Sequence, residues 1–554
     1  MTKKNRFTPL WLALSCVVGI IIGTFYANHL TGNRMSIINA GSNKLNLLLH
    51  IVDAQYVDTV NVNEIVEKAL PTLLAELDPH SVYISASDKQ MADDDLRGSF
   101  SGVGIEFTIR HDTLHVQRVI KGGPSETAGL LDGDKIVMVD DSVFTGPTLT
   151  NDKAIRRLKG PEGSKVKLSV VRRGEKQLLH FNVVRGQIHT SSVNATYMLD
   201  EKTGYIKIKN FGENTYSEFL IALAELSMQN FQSLVIDLRG NTGGYLGTAV
   251  QIVNELLPSN KLITYTEGLH SPRQEYRSDG RGSYRDLPLI VLIDESSASA
   301  SEIVAGAIQD NDRGTVIGRR SFGKGLVQQP IEFGDGSMMR LTIARYYSPS
   351  GRCIQKPYDS GMDKSYEEDI LQRYQHGEFF SSDSIHHTGP AFHTTIGRTV
   401  YGGGGITPDI FVPQDTTNYT SYYREALMTG AIILFAYDYT DQHRPELTKQ
   451  EDAQQLVKYL RKQNLLEQFV RYGEGIGLKR RNLMIQRSRQ LLEHDIYGRI
   501  VYNVLADVDY IEYLNHDDPA IIEALRVFRD NAATPQPPAK DHKEKADSTK
   551  AASK

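Results

Sequence analysis

The sequence predicts an α/β core on a substantially parallel sheet, interrupted by an inserted mainly-β domain and flanked by N- and C-terminal helical regions. Three observations carry this. Between residues 187 and 413, strand patterns alternate with helix patterns, the signature of stacked strand–helix units. Residues 96–186 hold short strands separated by glycine turns. Residues 36–95 and 414–530 carry apolar positions at helical spacing: Leu45, Leu48, Val52 and Tyr56 in the first, Leu456, Leu460, Leu465 and Phe469 in the second.

At 554 residues the chain exceeds one domain, on a prior of ~100–200 residues per domain. With 40% hydrophobic and 23% charged residues it is globular in composition and can bury a large core. A net charge of -5 is small for this length and gives no reason to expect a nucleic-acid partner. The two cysteines are Cys16 and Cys353, and Cys16 lies in an N-terminal apolar run, which argues against an internal disulfide. No Cys/His grouping has zinc spacing, so neither a metal site nor a cofactor is expected; His386-His387 reads as part of a solvated loop.

Residues 1–9 include Lys3, Lys4 and Arg6, and an apolar run from Leu10 to Ala27 follows. The basic flank predicts a cytoplasmic 1–9 and a transmembrane signal-anchor at 10–28, placing the rest of the chain outside the cytoplasmic membrane. Phe25-Tyr26-Ala27-Asn28 is a poor cleavage site, so the anchor is expected to be retained.

In chain order, Asp78-Pro79-His80-Ser81 ends the first helical region with a turn. Gly102-Val103-Gly104-Ile105 is a glycine loop opening a strand, and Leu114–Ile120 alternates as a half-buried strand does. Asn151–Leu158 reads as a helix, and Val166–Val171 with Leu178–Val184 as closing strands. The order Pro124-Ser-Glu-Thr-Ala-Gly-Leu-Leu-Asp-Gly-Asp-Lys-Ile136 resembles a PDZ domain. That resemblance implies capture of an extended chain terminus at a sheet edge, with Gly102, Val103, Gly104 and Ile105 as the loop that holds its carboxylate. The plainer alternative is that these glycines only shape a turn.

Within 187–413, Ser233–Arg239 is a buried strand running into Gly240-Asn241-Thr242-Gly243-Gly244. Leu287–Ile308 is a second unit: a branched apolar strand, a cluster of serines, then a helix. Both loops leave the carboxyl ends of their strands, where ligands sit in such sheets, so they are expected to converge. The polar stretch 356–405 reads as an insertion or flexible loop, and residues 531–554, rich in Pro, Ala and Lys, as a disordered tail.

A serine at a helix N-terminus meets unpaired N–H groups and a dipole that favour negative charge, although it can also merely cap the helix. Its hydroxyl needs a base. No histidine lies near the cluster, but a lysine serves if burial lowers its pKa from ~10.4 towards ~7–8. Lys324, between Gly323 and Gly325 and among Phe322, Leu326 and Val327, is the candidate; an ordinary surface lysine in a turn is the alternative. Local chemistry does not choose among Ser296, Ser297, Ser299 and Ser301.

Residues 36–413 resemble the carboxyl-terminal processing, or tail-specific, proteases. The matching pieces are the PDZ segment, Asp237–Gly244, Ser297-Ala-Ser-Ala-Ser-Glu-Ile303, Gly318–Gln328 and Arg345-Tyr-Tyr-Ser-Pro-Ser-Gly-Arg352. The resemblance implies a crotonase-like core and a Ser–Lys dyad: Ser299 as nucleophile, Lys324 as base and Gln328, four positions on, assisting. It implies an oxyanion hole from the N–H of Ala300 and of Gly243 or Gly244, the latter preferred. It further implies a serine endopeptidase of the bacterial envelope, anchored in the inner membrane with its catalytic part in the periplasm, that binds protein substrates by their C-termini. Whether it forms a homo-oligomer or uses an adaptor protein is left open. Where relatives often carry Arg-Gly after the PDZ helix, this chain has Lys159-Gly160, which puts an arginine-dependent activation in doubt. A non-catalytic PDZ scaffold or chaperone on a protease-like core is the second reading, and a crotonase-type acyl-CoA enzyme the third. The intact Ser299, Lys324 and Gln328 argue against both.

Overall fold

A computed structural model describes Val17 and residues 35–538 other than 360, 362, 363 and 388. The expected cytoplasmic segment 1–9, most of the signal-anchor 10–28 and residues 539–554 of the expected tail lie outside the described residues. Among the described residues, no helix is long and apolar enough to cross a membrane.

The chain divides into two compact units, residues 1–77 and 78–554. The first holds α1 (Met35–Gln55) and α2 (Val62–Ala75). Asn61 caps α2 by accepting the Glu64 N–H, and α2 buries none of its residues. The second unit begins at Asp78, so residues 78–95, read from sequence as the end of a helical region, belong with the core. They form β1 (Val82–Ile84), which pairs with a core strand, and α3 (Ala86–Arg97).

The inserted domain follows: β2 (Ser99–Gly102), β3 (Ile105–Arg110), β4 (Thr113–Val119), α4 (Pro124–Ala128), β5 (Lys135–Val139), β6 (Ser142–Val143), α5 (Asn151–Leu158), β7 (Lys165–Val171), β8 (Leu179–Val184) and β9 (Gly186–His189). Its sheet runs β3-β4-β5-β7-β8 with β6 on β5, while β2 and β9 pair where the chain enters and leaves. Alternation along β4 and β7 sends Leu114, Val116, Leu168 and Val170 into one core, and Ile136 and Val139 of β5 join it across a register shift between Ile136 and Met138. Thr150 caps α5, whose Ala154 and Leu158, one turn apart, are its buried side chains.

The α/β core comprises β10 (Val193–Met198), β11 (Thr203–Ile208), α6 (Thr215–Met228), β12 (Ser233–Asp237), α7 (Leu246–Leu256), β13 (Leu262–Gly268), β14 (Ser271–Arg277), β15 (Leu289–Ile293), α8 (Ala300–Asp310), β16 (Thr315–Gly318), β17 (Leu326–Glu332) and β18 (Met338–Tyr347). The stretch 356–405 adds α9 (Lys364–Gln375), β19 (Ala391–His393) and β20 (Thr399–Tyr401), and β21 (Ile410–Phe411) follows. The main sheet runs β10-β11-β12-β15-β16-β21. Every pair in it is parallel except β10 with β11. Strands β12 and β15 and helix α8 are buried at every position; the strands read as short apolar runs for that reason, while α8 also buries Ser301, Glu302, Gln309 and Asp310. A second, antiparallel sheet joins β1, β18, β13 and β14, with β17 on β18.

Two further sequence expectations change. The polar stretch 356–405, read as an insertion or flexible loop, is tied down: Tyr366, Arg373, Glu378 and Phe379 are buried. Glu378 receives Arg320 at 2.6 Å and Arg373 at 2.8 Å. Polar composition here reflects buried, paired charges rather than solvent. Residues 531–538, read as the start of a disordered tail, are placed, with Ala533 buried and its carbonyl accepting the Thr315 hydroxyl at 2.8 Å.

Helices from Ser421–Met428 to Pro519–Arg529 make up the C-terminal region, with a core of their own around Tyr422, Phe435, Phe469 and Ile500. They also grip the inserted domain along β3 and β4. Arg118 reaches Asp507 at 2.7 Å, Gln117 donates to Asn503 at 2.9 Å, and Arg110 pairs with Asp438.

Candidate active site

Strands β12 and β15 are parallel neighbours in register, Asp237 opposite Leu292, so the glycine loop and the serine cluster leave the sheet side by side. The two are stitched together. Ser297 donates its hydroxyl to the Leu238 carbonyl and Ser301 to the Asn241 carbonyl, each at 2.8 Å. Beneath them Asp237 is fully buried. Burial alone would raise its pKa, but Arg239 and Lys207 hold its carboxyl well below the usual carboxylate range.

Ser297 and Ser301 are thus spent on scaffolding, and both are fully buried. Ser299 differs. It is half-buried at the N-cap of α8, with φ 55 and ψ -114, a conformation sparsely populated by side-chain-bearing residues. Strand–turn–helix geometry with a strained serine at the turn is how a nucleophile elbow exposes its hydroxyl. Gly243 packs against this turn: a Cβ there would lie 2.7 Å from the Ser299 Cβ and 3.0 Å from the Ala300 nitrogen. The Gly243 N–H donates to Asn241 Oδ1 at 2.8 Å. At Gly244 a Cβ would collide with the Phe211 carbonyl, which the parallel bridge between these residues brings close.

The Lys324 loop is clamped to the serine turn by one carboxylate. Glu302 accepts the N–H of Ser299 at 2.9 Å, of Gly323 at 2.7 Å and of Lys324 at 2.9 Å, and the Ser321 hydroxyl at 2.5 Å. Its burial pushes its pKa up to about 7, against the pull of these donors. From β18, the buried Tyr346 hydroxyl reaches the carbonyls of both Ser299, at 3.1 Å, and Lys324. Burial pushes the Lys324 amine below the usual lysine range; Glu302 opposes this, Arg340 adds to it, and Asp78 opposes it. Among the described residues no hydrogen bond joins the Ser299 hydroxyl to the Lys324 amine. Gln328 lies on β17 opposite Thr342 and donates Nε2 to its hydroxyl at 3.3 Å.

Sequence reasoning did not assign roles to Glu302 or Tyr346. Both stood inside the motifs that carried the resemblance, but their role depends on contacts 19 to 47 positions away in the chain, which spacing does not reveal.

In the inserted domain β3 is an edge strand. Val103 is buried with its carbonyl accepting the Ser125 N–H at 2.9 Å, the Gly104 carbonyl accepts the Ile120 N–H at 3.1 Å, and Ile105 pairs with Val119. Gly104 has φ 79, and a Cβ on it would sit 2.9 Å from Ile188, so glycine is required there. Gly102 pairs with Gly186. Lys159 pairs with Asp94 of α3 at 3.0 Å and lies over the Phe100 ring.

Comparison with known proteins places the chain in a family. The chain is 36% identical over 310 residues, 55% of its length, to the carboxy-terminal-processing protease of Bartonella bacilliformis, of which it covers 70%. The chain belongs to the carboxy-terminal-processing protease family. The model of peptidase family S41 matches residues 202–366, a PDZ domain matches 101–183, and a family of unknown function matches 422–506. The protease CtpB of Bacillus subtilis is 33% identical over 316 residues, 56% of this chain and 65% of its own. Among solved structures, a photosystem II D1 C-terminal processing protease aligns at 29% identity with a TM-score of 0.31, covering 56% of this chain and 89% of that one. The PDZ domain of the Vibrio cholerae carboxy-terminal protease in complex with peptide aligns at 28% identity with a TM-score of 0.15, covering 16% and 98%. The family's S41 match ends at Tyr366, so most of the buried polar stretch lies beyond it.

Proposed function

We propose that this family member is a serine endopeptidase that cleaves proteins near their C-termini through an acyl-enzyme on Ser299. The observation that carries the reading is the strained Ser299 at the head of α8, with the Lys324 loop fastened to it through Glu302. Neutral Lys324 takes the proton of the Ser299 hydroxyl as Oγ attacks the scissile carbonyl. The oxyanion is held by the N–H groups of Ala300 and Gly244, since that of Gly243 is committed to Asn241. Removing one such donor costs on the order of 10²–10³ in rate. Lys324 then gives its proton to the leaving amine. Water deprotonated by the same lysine releases the new carboxylate from Ser299. Gln328 orients the lysine amine. The Ser–Lys contact forms on substrate binding, as catalytic hydrogen bonds often do.

The PDZ domain captures the substrate's terminal carboxylate at the Gly102–Ile105 loop and adds the chain to the β3 edge. An unstructured polypeptide with a free C-terminal carboxylate is therefore cleaved with a KM about tenfold or more below that of the same polypeptide amidated at its C-terminus. Equal KM values for the two would remove terminal capture from the account. Binding of the free-carboxylate polypeptide with no cleavage at all would favour the non-catalytic scaffold. The basic flank and the Leu10–Ala27 apolar run support anchoring in the inner membrane with the catalytic part in the periplasm. A protein lacking residues 1–34 is expected in the soluble fraction and the full chain with membranes.

A further inference from the structure

The Asp78-Pro79-His80-Ser81 turn lies outside both the protease and the PDZ matches, yet it is tied to Thr342, the hydrogen-bond partner of Gln328. Asp78 is nearly buried and accepts a full set of donors: the N–H of His80 at 2.8 Å, the N–H of Ser81 at 2.9 Å, the Ser81 hydroxyl at 2.6 Å and the Thr342 hydroxyl at 3.0 Å. Ser81 in turn accepts the Thr342 N–H at 3.0 Å, and β1, directly after the turn, pairs with β18. The turn is therefore locked to the strand that faces Gln328.

The polarity of this chain of hydrogen bonds is forced. A carboxylate only accepts, so the Thr342 hydroxyl donates to Asp78 and offers its lone pair to Gln328. The end of the Gln328 carboxamide that meets Thr342 must then be its NH₂, which leaves Oε1 as the free end. Oε1 is the atom a lysine amine needs, because the amine donates.

We propose that Asp78 is a positioning residue of the Ser–Lys site: through Thr342 it fixes the orientation of the Gln328 carboxamide, and its charge faces Lys324. The inference rests on Lys324 being the base. The charged and titratable groups around Lys324 are Glu302 of α8, Asp78 and His80 of the turn, Arg340 and Tyr346 of β18, Tyr366 of α9, and Lys356, whose N–H donates to the Gly323 carbonyl at 2.9 Å. His80 touches Tyr366 at 2.7 Å, and burial and then Lys324 push its pKa down to about 4, so it is neutral at neutral pH. That leaves Asp78 as an anion, Glu302 as one above its own pKa of about 7, and Arg340 as the opposing cation.

Removing the Asp78 charge favours the neutral lysine, and removing the Arg340 charge favours the ammonium. In the full-length protein, Asp78→Asn is expected to lower kcat tenfold or more and to move the acid limb of kcat/KM down by about 0.5–1 pH unit. Arg340→Gln is expected to move that limb up by a similar amount. Thr342→Val breaks the relay without a change of charge, so it lowers kcat and leaves the limb in place. A merely structural lesion at Asp78 moves no limb, and a merely structural lesion at position 342 does not follow the hydroxyl: Thr342→Ser, which keeps the relay oxygen, is expected to retain kcat where Thr342→Val loses it. If Asp78→Asn does not fold, Thr342→Val against Thr342→Ser decides. Unmoved limbs in the folded charge variants, or full kcat in Thr342→Val, overturn the inference. If Lys324→Ala is inactive in the same assay, the Ser–Lys reading survives that failure; if Lys324→Ala is active, the reading and the inference fall together.

Discussion

At the scale of single residues, the serine cluster shows what chemistry adds to pattern. Four serines were open candidates from local sequence, and Ser299 stood out only by resemblance. The structure supplies a physical reason for the difference: Ser297 and Ser301 spend their hydroxyls on the glycine loop, while Ser299 alone of the cluster takes a positive φ. The same scale predicts pH behaviour. Burial lowers the Lys324 pKa, so the neutral, reactive amine is present above that lowered value and is lost as pH falls through it. The acid limb of kcat/KM should lie well below the ~10.4 of a free lysine; a limb near 10 in a pH–rate profile would remove Lys324 as the base. Glu302→Gln replaces one acceptor oxygen by NH₂, which faces two donors that then lose their partner. At roughly 1–3 kcal/mol per unpaired buried group, kcat should fall at least tenfold with a lower Tm by calorimetry. Unchanged kcat would show that the clamp does not position the dyad. Neither Glu302 nor Tyr346 was legible as a site residue, because their partners are set by how α8, β18 and the lysine loop pack.

At the scale of elements, α/β alternation was readable because β12 and β15 are buried throughout and read as short apolar runs, and α8 keeps Ile303, Val304, Ala307 and Ile308 at helical spacing. Helix α5 falls where the sequence placed it, at Asn151–Leu158, with Thr150 as its cap and Ala154 and Leu158 as its buried face. The stretch 356–405 was not readable, because its order comes from paired charges rather than from apolar pattern. Arg373 donates to the Arg320 and Ser321 carbonyls at 2.6 Å and 3.0 Å and to Glu378, and so holds the start of the lysine loop. Arg373→Met leaves a buried carboxylate with one cation fewer and two carbonyls unpaired. It should cost about 3 kcal/mol of stability in denaturant titration, and hydrogen exchange should rise around residues 318–326. Exchange confined to 364–378 would mean that the helix is a separate appendage.

At the scale of the whole molecule, the domain order of the second unit was legible from changes in pattern, but the role of its C-terminal helices was not. They brace the PDZ domain through Arg118–Asp507, Gln117–Asn503 and Arg110–Asp438, pairs separated by more than 300 positions that no local reading connects. Arg110 is buried and Asp438 partly open, so Arg110→Ala should loosen the PDZ domain by about 1–3 kcal/mol. Limited proteolysis should then cut first in the 96–186 region; an unchanged cleavage pattern would show that the brace is dispensable. All of this surrounds one claim, that a serine and a lysine on two clamped loops hydrolyse peptide bonds. The most direct measurement is the rate at which purified wild-type, Ser299→Ala and Lys324→Ala proteins, each shown folded by circular dichroism, cut an unstructured polypeptide with a free C-terminus. The account predicts cleavage by the wild type and a loss of at least 10³-fold in both variants; a folded variant that still cuts at the wild-type rate would contradict it.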